Sequence, residues 1–95
     1  MKDEVVHTMH PEAGRKNKNI SRRKYEIIKE AITEALRNQE LTHTELVKGL
    51  EKNLGKTFPE NISWCTMTVK LDLEARGVIE RTSSKPPKYR LRQHV

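Results

Sequence analysis

The stretch LEARGVIERTSSKPPKYRLR, residues 73–92, constrains the fold more than any other part of the chain. It joins the end of a helical pattern to Gly77 and then to two short runs, VIER and KYRLR, on either side of the segment TSSKPP. Glycine readily adopts the left-handed backbone conformation that ends a helix, so Gly77 marks the stop. Strands are predicted at residues 78–81 and 88–92. A helix followed directly by a C-terminal β-hairpin indicates an α+β fold.

Three amphipathic helices are predicted before this hairpin. The first begins after Ser21, a typical N-cap residue, and repeats apolar residues at steps of three and four. The second opens with Thr42 and Glu45 at the spacing of a capping box. The third is capped by Asn61 or Ser63 and ends just before the glycine stop.

The first twenty residues differ in composition from the rest of the chain. They contain few apolar residues and the cationic run RKNK. Such a segment buries too little apolar surface to offset the entropy of ordering it. The sequence therefore predicts a flexible N-terminal arm over residues 1–20 and a folded domain over residues 21–95.

Charge and cysteine content indicate which partners and which cellular location to expect for this chain. The 95 residues carry a net charge of +6, with basic residues concentrated at both ends, so the surface should attract polyanions. The single cysteine excludes an intrachain disulfide, and no apolar leader or membrane-spanning run is present. We therefore expect a cytoplasmic protein with no membrane partner.

The order helix, capped helix, helix ending in LEARGVIER, and hairpin ending in YRLR resembles the winged helix-turn-helix superfamily over residues 21–92. The segment SWCTMTVKLDLEARG, residues 63–77, more narrowly resembles an uncharacterised bacterial family of winged-helix type. The resemblance implies a three-helix winged helix-turn-helix domain with the C-terminal β-hairpin as its wing. It also implies a DNA-binding module, acting as a transcriptional regulator or accessory factor, whose partner is duplex DNA.

Two cationic clusters are candidates for contacts with DNA phosphates. If Tyr89 faces the core, side-chain alternation along the strand places Lys88 and Arg90 on the outer face of the wing. The second cluster is Arg22, Arg23 and Lys24, in the first turn of the first helix. Cations at this end of a helix are unfavourable because they oppose its dipole, so the cluster is better explained by an anionic partner than by helix stability. Helix three would lie toward a groove. The predicted nucleic-acid-binding residues are Arg22, Arg23, Lys24, Thr68, Lys70, Lys85, Lys88 and Arg90.

The third helix conflicts with a role in base reading. Leu73, Val69 and Thr66 are predicted to face the core, and the opposite stripe carries Trp64, Met67, Thr68, Leu71 and Ala75. Direct readout of bases uses mainly Arg, Lys, Asn and Gln, which this stripe lacks. Trp64, Met67 and Leu71 instead suggest a partner interface, including a possible homodimer, or a surface covered by the N-terminal arm. There are two other interpretations. In one, the helix is packed in the core on two sides and the assigned stripe is rotated by one position. In the other, these side chains contact thymine methyl groups of DNA.

Catalytic and metal chemistry have little support in the sequence. His7 and His10 have ligand-like spacing but no accompanying cluster of Cys or carboxylate ligands. Cys65 has no histidine placed by sequence to activate it. We therefore predict no enzyme activity, no cofactor and no metal site. The leading hypothesis is DNA binding, and the alternative is a protein-interaction or dimerisation module of winged-helix fold that does not read DNA.

Overall fold

The computed structural model of the chain describes residues 4–12, 14, 16–55, 58 and 61–92. Three helices and five strands lie within these residues, which confirms the predicted α+β class. In chain order the elements are β1 (Val5–Met9), β2 (Lys16–Ser21), α1 (Arg22–Ala35), β3 (Leu41–Thr42), α2 (His43–Leu54), α3 (Ile62–Ala75), β4 (Ile79–Arg81) and β5 (Lys88–Leu91). We refer to β1 and β2 as the N-terminal hairpin and to β4, β5 and their connection as the wing.

The N-terminal hairpin occupies the segment for which the sequence predicts a flexible arm. Its two strands pair antiparallel, with Val6 opposite Ile20. Ile20 is buried, Val6 packs against the core, and Thr8 is also buried. The structure therefore differs from the expectation, because a few apolar residues on one face are enough once α1 and α3 lie beneath them.

The first two helices begin at the predicted caps. Ser21 accepts a hydrogen bond from the backbone N–H of Lys24 at 3.3 Å. At α2, the Glu45 N–H donates to the Thr42 hydroxyl at 3.2 Å, and the Thr42 N–H donates to the Glu45 carboxylate at 2.9 Å. This reciprocal pair satisfies two otherwise unpaired backbone donors, so the capping box is confirmed.

The two ends of α3 are also defined by local sequence. Of the two residues predicted as caps, Asn61 fills the role: its side chain accepts from the Trp64 N–H at 3.0 Å. At the other end, Gly77 has a φ of 75°, and the Val78 N–H donates to the Leu73 carbonyl at 2.9 Å. This left-handed termination turns the chain from the helix into the wing.

The second sheet combines the wing with a strand that the sequence does not predict. β3, between α1 and α2, pairs with β5 through Leu41 and Tyr89, and β5 pairs with β4 through Leu91 and Ile79. The strand order is β3-β5-β4. Ile79 and Tyr89 are buried, so the inner face of this sheet closes one side of the core.

The core lies between α1, α2, α3 and the inner faces of both sheets. Ile28, Ile32, Leu46, Leu50 and Leu73 are among its fully buried side chains. Among the described residues, no helix has the length and apolar content needed to cross a membrane.

Candidate interaction surface on helix α3

The inward face of α3 agrees with its sequence pattern. Leu73, Val69 and Thr66, predicted to face the core, are fully buried. The helix is buried further around its circumference than an amphipathic surface helix, because polar residues on both of its flanks are also covered. Those two flanks determine what remains available for binding.

The N-terminal hairpin covers one flank of α3. The Met9 N–H donates to the Asp72 carboxylate at 2.8 Å, and the Asn17 side-chain amide donates to the Thr68 carbonyl at 2.9 Å. Thr68 is only 1% exposed. This side chain, predicted to contact nucleic acid, therefore lies in the interior.

A buried carboxylate anchors that flank. Asp72 is fully buried and accepts hydrogen bonds from the Tyr25 hydroxyl and from Arg76 Nε, the latter at 2.9 Å, in addition to the Met9 N–H. Burial, and after it the hydrogen bond to Asp72, raise the pKa of the Tyr25 phenol, so this group stays protonated and remains a donor. Asp72 thus joins the N-terminal hairpin, α1 and the last turn of α3.

The wing and the start of α2 cover the opposite flank. Lys70 Nζ donates to His43 Nδ1 at 3.1 Å and lies 4.1 Å from the centroid of the Tyr89 ring. Glu74, one turn later on α3, pairs with Arg81 of β4 at 3.4 Å. Lys70 is only 5% exposed, so this predicted DNA contact is an internal cation held by an aromatic face and a neutral imidazole.

An apolar stripe remains open between the two flanks. Trp64 is 38% exposed and Met67 45% exposed, and Leu71 is half-buried. Successive helical residues are rotated by about 100°, which places these three between the flank of Thr68 and Asp72 and the flank of Lys70 and Glu74. We call these three residues the α3 stripe.

Two of the predicted phosphate-binding arginines are already paired with carboxylates. Arg22 contacts Glu4 of the N-terminal hairpin at 2.7 Å. Arg90 contacts Glu80 at 2.6 Å and Glu40 at 3.1 Å. The hydrogen bonds to Glu80 and then to Glu40 raise the pKa of Arg90.

The other predicted cations are more accessible. Lys85 and Lys88 of the wing and Arg23 of α1 are exposed, and Lys24 is half-buried. Lys88 lies close enough to Glu45 to contribute to its lowered pKa, although the hydrogen bonds from Thr42 are the main cause. The wing lysines are therefore the part of the predicted phosphate-binding set that the fold leaves most available.

An open cleft lies away from the α3 stripe, between the α1–β3 connection and the base of the wing. Arg90 bridges Glu40 and Glu80 at its wall, and Leu36 and Leu91 contribute apolar surface. The central arginine and the two carboxylates satisfy one another, and Arg37 and Arg92 add positive charge to the lining.

The histidines and the cysteine form no metal site within the described ranges. No group of three or more His, Cys, Asp or Glu side chains there could hold a metal ion. His7 bonds to Asn19 at 3.1 Å, His10 accepts from the Glu12 N–H at 3.0 Å, and Cys65 is buried. These residues thus contribute to local structure.

Residues 5–89 match the family described as "Family of unknown function (DUF6958)". The chain belongs to this family. No curated protein and no solved structure matches the chain significantly. The family match begins at Val5, the first residue of β1, and so includes the N-terminal hairpin together with all three helices. Both flanks of the α3 stripe therefore lie within the DUF6958 region.

The sequence reasoning missed Asp72 and Asn17, which fasten the hairpin to α3. Asp72 carried a signal, since it stands between Val69 and Leu73 on the buried side of an otherwise apolar helix. A buried acid at such a position requires donors from other elements. Asn17 carried no comparable signal, because its partner, the Thr68 carbonyl, becomes a neighbour only after folding.

Proposed function

We propose that this DUF6958 chain is a binding module of winged-helix type that docks a protein partner on the α3 stripe. The winged-helix part of the proposal is supported by the element order: a helix, a short strand, two helices and a hairpin. It is also supported by the strand order β3-β5-β4, which attaches the wing to the strand between the first two helices. The N-terminal hairpin is an addition to that arrangement.

The exposure of Trp64 and Met67 is the observation that carries the proposal. Both are large apolar side chains on a helix that is otherwise buried on three sides. A partner that covers such side chains removes them from water, which stabilises the complex by about 25 cal/mol for each Å² of apolar surface buried. Tryptophan and methionine are also enriched where proteins meet proteins.

Base reading by α3 is less well supported than protein docking. Thr68 and Lys70 are buried, so the exposed face of the helix presents an indole, a thioether and a half-buried leucine. Hydrogen bonding to base edges requires donors and acceptors that these side chains supply poorly. The charge on Arg22 and Arg90 is also shared with neighbouring carboxylates.

Duplex DNA binding through the phosphate backbone is a second candidate function, supported by the wing. Lys85 and Lys88 are exposed on the wing. Such a module would bind DNA with little sequence preference, because phosphate contacts carry no base information. A role as a transcriptional regulator or accessory factor fits either candidate.

A selection of random peptides on the immobilised protein tests the proposed function. Peptides of about 16 residues are long enough to form a helix of about 24 Å along α3. Peptides enriched on the wild-type chain should bind the variant Met67→Asp at least about ten-fold more weakly. Trp64 is the only tryptophan in the chain, so its emission should shift to the blue when such a peptide covers it.

Ile27→Asp is the matched control. Ile27 lies on α1 and is 39% exposed, close to the exposure of Met67, but it is not on the α3 stripe. The selected peptides should bind this variant as they bind the wild type. Equal binding to Met67→Asp, or no enrichment at all, would remove the α3 stripe as a docking surface.

A further inference from the structure

The open cleft between the α1–β3 connection and the base of the wing has the size of a small-molecule site. Its volume is about 740 Å³, within the roughly 300–1,000 Å³ typical of such sites. Seven of its nine lining residues are polar or charged, and the other two are leucines. The polar lining comes from residues 37–40 of the connection, from Glu80 on β4, from Arg90 on β5 and from Arg92 just after it. A ligand of this cleft is therefore larger than a single inorganic ion and mainly polar.

The walls of the cleft are held in place by hydrogen bonds. Arg90 Nε donates to Glu80 at 2.6 Å, and Arg90 Nη1 donates to Glu40 at 3.1 Å, so one guanidinium ties the wing to the α1–β3 connection. The connection is also tied to α1, because the Gln39 side-chain amide donates to the Ala35 carbonyl at 2.6 Å. The cleft is therefore preformed, which lowers the entropy lost when a ligand binds.

Two guanidinium groups of the lining are available to an anion. Arg92 is exposed and takes part in none of the ion pairs found within the described ranges. Gly77 leaves room for its guanidinium, since a Cβ added there would lie 3.0 Å from Arg92 Nη1. Arg37 pairs with Glu34 at 3.0 Å, but both side chains are 67% exposed, and pairs in this much water are weak. An anion in the cleft can therefore draw on both arginines.

The charges of the lining favour a ligand with a single negative charge. Arg90 with its two carboxylate partners carries a net charge of −1, and Arg37 with Arg92 carries +2. One carboxylate on the ligand balances the remaining +1. A phosphate ester carries about −1.5 to −2 at pH 7, so it would leave excess negative charge beside the carboxylates of the cleft and near Glu34.

We propose that the cleft binds a hydroxylated monocarboxylate, a small molecule of the hydroxy-acid or sugar-acid class. Its carboxylate accepts hydrogen bonds from Arg92 and Arg37, because a planar guanidinium matches the two oxygens of a carboxylate. Its hydroxyl groups donate to the remaining lone pairs of Glu40 and Glu80 and meet the side-chain amide of Asn38. An apolar ligand would leave these polar groups without partners, which costs affinity. The cleft lies apart from the α3 stripe, so this inference goes beyond the proposed function and does not rest on it.

Backbone amide chemical shifts, measured by NMR on the isotope-labelled chain, test the proposal. The probes are gluconate, glucuronate and glycerate. At least one of them should shift the amides of residues 37–40 and 90–92, with a Kd of about 1 mM or tighter. Sorbitol and glycerol, which have the hydroxyl groups without the carboxylate, should leave these amides unchanged. No shift with any of the three acids, or equal shifts with the neutral polyols, would overturn the proposal.

Arg92→Gln tests the role of the available guanidinium. The variant should bind the acid at least about ten-fold more weakly than the wild type. Arg23→Gln is the matched control, because it makes the same change of charge at an exposed position on α1 outside the lining. The control should bind the acid as the wild type does. Unchanged binding to Arg92→Gln, or equal weakening in the two variants, would overturn the assigned carboxylate contact.

Glycerol phosphate identifies the rival oxyanion. It differs from glycerate mainly in carrying a phosphate in place of the carboxylate, and it should bind more weakly because of its additional negative charge. Tighter binding of glycerol phosphate at the same amides would overturn the monocarboxylate and make the cleft a site for phosphate esters. Tighter binding of glycerate is the result we expect.

Discussion

At the scale of single residues, the least expected feature is the number of polar groups placed inside the protein. Asp72 and Lys70 both lie on α3 and are both buried, but their environments differ. Asp72 is surrounded by donors from three elements, whereas the ammonium of Lys70 is held by a neutral imidazole and an aromatic ring. Each arrangement leads to a different prediction.

Replacing Asp72 with asparagine should lower the free energy of unfolding by about 2–3 kcal/mol. The amide keeps the shape of the carboxylate, but it removes the charge that Arg76 needs and directs N–H groups toward existing donors. Chemical denaturation monitored by circular dichroism measures the change. Tyr25→Phe is the control: it removes one donor and should cost about 1 kcal/mol. If Asp72→Asn left the free energy of unfolding unchanged, the anchoring role of Asp72 would be contradicted.

The contact between His43 and Lys70 predicts a pH dependence of stability. Burial, and after it the nearby charge of Lys70, lower the pKa of His43 below its ordinary value of 6.5. The folded state therefore binds fewer protons than the unfolded state as pH falls past 6.5, and the neutral imidazole stabilises the fold above that pH. This stabilisation should be lost as pH decreases below 6.5 toward the lowered pKa.

The measurement is the free energy of unfolding between pH 7.5 and pH 5 for the wild type and His43→Gln. Glutamine can accept from Lys70 without titrating, so its curve should be flatter than that of the wild type in this interval. Tyr89, whose ring lies against Lys70, is unchanged in the variant. Parallel curves would show that His43 does not control the pH dependence.

At the scale of elements, the N-terminal hairpin is part of the folded unit. It contributes Val6 and Ile20 to the core and covers one flank of α3. Asn17 holds the hairpin in place, since its amide donates to the Thr68 carbonyl at 2.9 Å and to the Met9 carbonyl at 3.1 Å. Asn17 is therefore one of several attachments of the hairpin, beside the Met9–Asp72 hydrogen bond and the burial of Ile20.

Replacing Asn17 with alanine should loosen the hairpin more than it destabilises the domain. The loss of these two bonds should cost about 1–2 kcal/mol and speed hydrogen exchange of the β1 and β2 amides, while amides in the centre of α3 remain protected. Asn19→Ala is the matched control, because Asn19 is an exposed residue of the same strand whose side chain contacts His7. Uniformly faster exchange throughout the protein would contradict a local role for Asn17.

At the scale of the whole molecule, net charge alone overstates how many cations can contact DNA. The sequence predicts eight nucleic-acid-binding residues, but Thr68 and Lys70 are buried and Arg22 and Arg90 are paired with carboxylates. Lys85 and Lys88 remain the most available members of that set. Half of the predicted set is thus buried or already paired with carboxylates within the protein.

Any binding to mixed duplex DNA should therefore be weak and depend only moderately on salt. Each phosphate contact contributes about −0.9 to the slope of log affinity against log salt, so two wing lysines give a slope of about −2. Fluorescence anisotropy across a salt series measures it, and Lys85→Ala with Lys88→Ala should bring the slope close to zero. A slope of about −4 or steeper in the wild type would favour the phosphate-binding candidate over protein docking.

The sequence by itself determined the features that depend on neighbours along the chain. The caps at Ser21, Thr42 and Asn61 and the stop at Gly77 follow from side-chain and backbone groups within about five residues. The inward stripe of α3 follows from helical periodicity in the same way. These signals were sufficient for three helices, a C-terminal hairpin and the α+β class.

Only the tertiary structure decided which polar residues of α3 are available for binding. Periodicity gives the angle of Thr68, Lys70 and Asp72 around the helix, but it does not say which elements lie against each side. The N-terminal hairpin reaches Asp72 from 63 residues away, and β5 folds back so that Tyr89 lies on Lys70. The energies of these contacts depend on packing rather than on local spacing. The pairing of β3 with β5 could not be predicted from the sequence for the same reason. Leu41 and Thr42 form a strand only because Tyr89 and Lys88 lie beside them.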